Sequence, residues 1–125
     1  MSISNYLEEK ILNKVFRNTD FTVATVYCSL HTGDPGETGA SEVTGGSYAR
    51  NAVAWDAAAN PAGTIANTDV EDFPLMPAAT LTHVGFWDAL TTGNFLWGGA
   101  MTASKTTNAG DTFEFPAGSL VATLS

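Results

Sequence analysis

After Asp20 the apolar residues change their spacing, and that change governs most of what this chain can become. From Thr25 to Leu30, Val26, Cys28 and Leu30 point one way while Thr25, Tyr27 and Ser29 point the other, the period-two pattern of a strand. Strand-like runs recur at Tyr48–Trp55, Thr64–Thr68, Val70–Phe73, Leu81–Asp88, Asn94–Met101, Asp111–Phe115 and Leu120–Leu124. Turn-forming clusters separate them at short intervals: Asn60-Pro61-Ala62-Gly63, Thr92-Gly93-Asn94, Asn108-Ala109-Gly110-Asp111 and Pro116-Ala117-Gly118. The expectation is an all-β fold, an antiparallel, jelly-roll-like β-sandwich of roughly eight strands. No second helix of useful length is evident, which excludes alternating βαβ topologies.

Before Asp20 the spacing is helical. Leu7, Ile11, Leu12, Val15 and Phe16 make one apolar stripe, predicting a helix from about Tyr6 to Arg17. Asn5 followed by Glu8 resembles a capping box, and Lys14 and Arg17 sit where the helix dipole favours cations. The stripe is expected to pack on the sandwich, with packing on a neighbouring subunit as the alternative. The chain then reads as one domain, 1–125, with an amino-terminal helix in 1–19 and a β-sandwich in 20–125. Residues 31–47 interrupt it as a long loop holding Gly33, Gly36, Gly39, Gly45 and Gly46, with a tight turn at Asp34-Pro35-Gly36. Loops of this length are functional or mobile, and this one is expected to flex against a neighbouring surface.

Only 14% of the 125 residues are charged although 44% are apolar. An ordinary domain carries roughly 25% charged residues, and a surface this neutral suits assembly with other proteins. The formal charge is −8, and it is unevenly spread. Glu8 and Glu9 face Lys10, Lys14 and Arg17, whereas beyond Arg17 every remaining acid is met only by Arg50 and Lys105. An acidic body disfavours nucleic acid and anionic membranes and leaves a protein partner. Cys28 is the sole cysteine, so no internal disulfide can form and a buried thiol is expected. The segment opening Met1-Ser2-Ile3-Ser4 has no leader pattern, and synthesis in a cytosol without cleavage is expected.

Catalytic chemistry has little to stand on. His31 and His83 are the only candidate histidine bases, and no Gly-x-Ser-x-Gly elbow presents a nucleophile. His83 reads as an ordinary strand residue and His31 as a loop residue bonded to backbone. Asp34, Glu37 and Glu42 offer oxygen ligands, but not at EF-hand spacing, so a solvated acidic loop is the preferred reading. The glycines lack the Lys and Ser/Thr of a phosphate cradle. Trp55, Trp87 and Trp97, with Tyr27 and Tyr48, suit core filling, with a sugar-stacking surface as the alternative. No catalytic, cofactor or metal residue is assigned. The one site expectation is structural: an ion pair between Arg50 and Asp88.

Several stretches in order carry a resemblance. They are Val15-Phe16-Arg17-Asn18-Thr19, Leu30-His31-Thr32-Gly33-Asp34-Pro35-Gly36-Glu37-Thr38-Gly39, Gly45-Gly46-Ser47-Tyr48-Ala49-Arg50, Thr82-His83-Val84-Gly85-Phe86-Trp87-Asp88, and Gly110-Asp111-Thr112-Phe113 leading into Pro116-Ala117-Gly118-Ser119. Together they resemble small virion structural proteins of tailed bacteriophages, often labelled tail-fibre proteins. Phe73-Pro74-Leu75-Met76-Pro77 departs from that pattern. The resemblance implies a non-enzymatic virion component that needs no cofactor. The compact form without a fibre shaft then suggests a capsid decoration, or cement, protein, a homotrimer bound to major capsid or other virion proteins. The alternative is a tail-fibre or baseplate-associated protein that contacts host glycans.

Overall fold

The structure, a computed structural model, describes residues 2–59 and 62–124. Within them the elements are β1 (Ser2–Ile3), α1 (Asn5–Arg17), β2 (Val26–His31), β3 (Asn51–Val53), β4 (Thr64–Ala66), β5 (Glu71–Met76), β6 (Ala79–Trp87), β7 (Phe95–Thr107), β8 (Asp111–Phe115) and β9 (Val121–Thr123). The all-β class with an amino-terminal helix stands as expected. Asn60 and Pro61, half of one expected turn, lie outside the described residues.

Five strands form an antiparallel sheet in the order β1-β7-β6-β2-β3, and the two-stranded ladders β4–β9 and β5–β8 form the opposing layer. Pairing sets Cys28 opposite Phe86 and Leu30 opposite Val84, so one face of the sheet is continuously apolar. These side chains are buried with Phe73 and Met76 of β5, Phe113 of β8 and Leu120 just before β9. Burying side chains of this size stabilises by roughly 1.5–3 kcal/mol each, which makes this interlayer core the main source of cohesion.

Three strands depart from the expected boundaries for local reasons. β3 is shorter than the Tyr48–Trp55 run because Tyr48, Ala49 and Arg50 leave the sheet to meet the long loop. β7 continues past Met101 through Thr102–Thr107, a mostly polar run with no apolar alternation to reveal a strand. Its register jumps from Leu81↔Lys105 to His83↔Ala100, so Met101–Ser104 bulges opposite Thr82. In β5 the register breaks between Phe73 and Met76, around Pro74 and a Leu75 with φ of 51°. Proline has no N–H to donate, and strand prolines are confined to such breaks and edges.

The helix begins one residue earlier than expected. Ser4, not Asn5, is the N-cap: its hydroxyl accepts from Leu7 N–H at 3.2 Å and donates to the Phe95 carbonyl at 2.7 Å. Asn18 ends the helix in the left-handed region, its N–H reaching the Asn13 carbonyl. The expected packing of the whole stripe on the sandwich is corrected. Leu7 and Ile11 are half-buried, but Leu12, Val15 and Phe16 are 56%, 67% and 79% exposed. The five positions span roughly half the helix circumference, more than contact along one strand, β7, can cover.

Candidate functional site

The second face of β2 is where the polar side chains converge. Tyr27, Ser29 and His31 point away from the interlayer core, and Ser29 and His31 are nonetheless fully buried. Loop 31–47 covers them. The expected mobility of this loop is corrected: it is fastened by backbone hydrogen bonds from Thr32 N–H to the Ser41 carbonyl and from Val43 N–H to the Leu30 carbonyl. Gly39 and Ala40 N–H both donate to the Pro35 carbonyl, and Pro35 and Val43 are buried. A Cβ on Gly39 would stand 2.2 Å from Trp87 Cζ2, and its φ is +77°, so the loop can close on the indole only with glycine there.

Beneath the loop runs a chain of buried hydrogen bonds. His31 Nδ1 lies 2.7 Å from the Ala40 carbonyl, which can only accept, so Nδ1 carries the proton. His31 Nε2 therefore accepts the Ser29 hydroxyl at 2.6 Å, and Ser29 Oγ in turn accepts from Trp87 Nε1 at 2.9 Å. Burial holds the imidazole below its ordinary pKa, against the opposing Ala40 bond, so the ring stays neutral. The serine and histidine have the spacing of a nucleophile and its base, but neither reaches solvent and the far nitrogen meets a carbonyl in place of a carboxylate. Their arrangement fastens the loop to the sheet.

Arg50 closes the same structure from outside. Its Nε and Nη2 donate to the two oxygens of Glu42 at 3.0 and 2.9 Å, and its Nη1 donates to the Ala89 and Thr92 carbonyls at 2.9 and 2.8 Å. The guanidinium is also stacked on Trp87. Tyr48 completes the group, donating to Glu42 at 2.8 Å while accepting from Leu30 N–H at 3.0 Å. Burial alone would raise the Glu42 pKa, but hydrogen bonds from Arg50 and Tyr48 and the arginine charge outweigh it and hold the carboxyl below its ordinary value. Burial pushes the Tyr48 phenol well up, with the Glu42 charge adding to it.

The structural ion pair expected of Arg50 thus exists, with Glu42 and not Asp88 as its partner. Asp88 instead organises the β6–β7 turn, accepting from the Asn94 backbone at 2.7 Å and its side-chain amide at 2.8 Å. The two residues still meet indirectly, because Arg50 binds carbonyls of the turn that Asp88 shapes. The three loop acids go separate ways: Glu42 to Arg50, Asp34 to Gly36 N–H at 2.9 Å, and Glu37 to Asn5 N–H at 2.6 Å at the start of α1. Among the described residues no group of three or more His, Cys, Asp or Glu is placed to hold a metal ion.

The tryptophans face inward. Trp87 is buried, and Trp55 and Trp97 pack partly buried against the interlayer core, Trp55 edge-on to Phe86 at 5.3 Å between ring centroids. Sequence reasoning passed over the roles of Ser29, of Glu42 as the partner of Arg50, and of the Trp87–Arg50 stack. The signal for Ser29 and His31 was present, since residues two apart on a strand share a face.

Against known proteins, the family model described as Podophage GP4 fiber I protein gp80 matches residues 2–123. No curated protein matches the chain.

Proposed function

Because this chain belongs to the podophage GP4 fiber I protein gp80 family, we propose that it serves as a rigid, non-enzymatic module of the virion's fibre apparatus and not as capsid cement. The match over residues 2–123 carries this reading. The fastened loop supports it. A fibre component must transmit load without local unfolding, and a loop bound through Glu42–Arg50, His31–Ala40 and Glu37–Asn5 favours a single conformation. The only serine–histidine contact among the described residues is sealed from substrate. A cement role fits a loop that flexes against a neighbouring surface, and a trimer fits the three-fold axes of a capsid. Neither premise carries over to a fibre. The three tryptophans offer no exposed stacking platform, so the reading includes no saccharide site.

The deciding experiment is gold labelling of intact particles with antibody against this protein, viewed by electron microscopy. Label at the tail or its appendages is the expected result. Label spread over the capsid surface, with particles lacking the protein bursting on osmotic shock, would return it to the cement role.

A further inference from the structure

The amino-terminal arm, residues 2–17, is tied to the fold at its front end and loose at its back. Ser2 and Ile3 pair with Gly98 and Trp97, Ser4 donates its N–H to Leu96 and its hydroxyl to Phe95, and Asn5 N–H reaches Glu37. Each of these partners lies 32 or more positions further along the chain. The segment joining the arm to β2 is different. Among the described residues, 20–25 neither donate nor accept a main-chain hydrogen bond, and none of 18–25 is buried. Loop 31–47, by contrast, is fastened along its length. Stretched out, 18–25 can reach roughly 26 Å. The helix itself holds on weakly. No residue of α1 is buried, and Leu7 leaves unfilled an apolar gap of about 210 Å³ that it shares with Val26, Trp55, Phe86 and Trp97. An element with so little buried apolar surface opens at low cost.

We propose that the arm is exchangeable: two copies trade arms about a two-fold axis, each β1 pairing beside the other copy's β7 and each α1 lying on the other copy's sheet. The occupant is fixed by contacts already present. Phe95, Leu96, Trp97, Gly98 and Glu37 form a seat that binds this arm in the closed chain. The identical arm of a second copy satisfies the same donors and acceptors in the same register. Nothing in those contacts requires arm and seat to share a chain, and the slack link sets only their effective concentration. Opening forfeits the seat contacts and closing on a second copy restores them. What remains is the cost of bringing two copies together, which falls where a virion holds them side by side. Reciprocal exchange leaves no seat empty, so it closes at two copies.

The test mixes chains carrying only Ile3→Cys with chains carrying only Trp97→Cys, refolds them together under reductant, then oxidises them for a non-reducing gel. Ile3 and Trp97 are directly opposed across β1 and β7, so a closed monomer of either variant has no second thiol there and an exchanged pair has one. Cys28 is fully buried and does not compete once the chain has folded. The expected result is a covalent dimer whose share rises about tenfold for each tenfold rise in refolding concentration while it remains the minor species. A chain carrying both substitutions should link within itself when refolded dilute, which certifies folding and the geometry of the pair. Should Trp97→Cys fail to fold, Asn5→Cys and Glu37→Cys, both at exposed positions, take its place with a short bis-maleimide as the bridge. Linkage as strong in either single variant alone marks random collision and overturns exchange. So does a mixture refolded at about 1 mM that gives no covalent dimer although the double variant closes on itself. Either failure leaves the labelling result for fibre placement untouched.

Discussion

The Arg50 guanidinium carbon sits 3.7 Å from the centre of the Trp87 ring, while the opposite edge of the same arginine grips both oxygens of Glu42. Trp87 is in turn the residue against which Gly39 closes. One aromatic ring thus lies between the cation above it and the loop beside it.

This arrangement makes Arg50 hard to replace. Its side chain is only 8% exposed, and removing it strands Glu42 and two carbonyls. Arg50→Ala should cost on the order of 3 kcal/mol in urea denaturation. Arg50→Lys keeps the charge but loses the fork and the stacked plane, so it should recover only part of that loss. In double-mutant cycles Arg50 and Glu42 should be strongly coupled, and Arg50 and Asp88 less so, because the latter communicate only through the turn.

Two loop glycines separate backbone strain from steric exclusion. Gly36 has φ of +58°, and an added Cβ there would meet nothing within 4 Å, so Gly36→Ala should cost about 1 kcal/mol, the strain of a left-handed alanine. Gly39→Ala adds a collision with Trp87 and Phe95 and should cost at least about 2 kcal/mol more. Comparable melting temperatures for the two variants would mean that the loop does not close on Trp87.

The inner and outer arcs of α1 should respond differently to truncation. Leu7 lines the apolar gap shared with Val26, Trp55 and Phe86, so Leu7→Ala should destabilise by about 1–2 kcal/mol. Phe16→Ser removes a mostly exposed ring and should change monomer stability by less than about 0.5 kcal/mol. Thermal melts of dilute protein compare the two.

Acid should affect the two layers in opposite directions. Burial, with repulsion from Asp69 and Asp72, raises Glu71, and Asp72, directly across the ladder, raises Glu114. A raised folded-state pKa contributes stability that is fully present below the ordinary carboxyl value and is lost as pH rises through the folded value. His31 and Glu42 are lowered, so their contribution holds above their ordinary values and fades as pH falls through the folded ones. Glu71→Gln should therefore be more stable than wild type at pH 7, with the advantage shrinking on acidification towards pH 4. A constant difference across that range in chemical denaturation would rule out Glu71 as the source.

Much of the scaffold is legible in the sequence because it is written in local periodicity. Val26, Cys28 and Leu30 announce a strand and its inner face, and Leu7 and Ile11 a helix. What escapes depends on where the chain travels between elements. Arg50 can be matched with Asp88 by strand motif, but Glu42 becomes its neighbour only because loop 31–47 folds back, and no spacing rule encodes that path. The loop's glycines look like freedom when read alone; beside Trp87, Gly39 is a close-packing position. The helix stripe is plain in the spacing, yet periodicity does not say how much of an apolar arc a single strand will cover.

Ser4 finds its acceptor on Phe95, 91 residues further on, and Ser2 and Ile3 pair with Gly98 and Trp97. The amino-terminal elements consequently have no seat until β7 has been synthesised. At roughly 5–20 residues per second, the ribosome leaves that segment waiting for about 5–20 s with its apolar side chains uncovered. During translation this is an opening for a chaperone or for premature contact between nascent chains on one polysome.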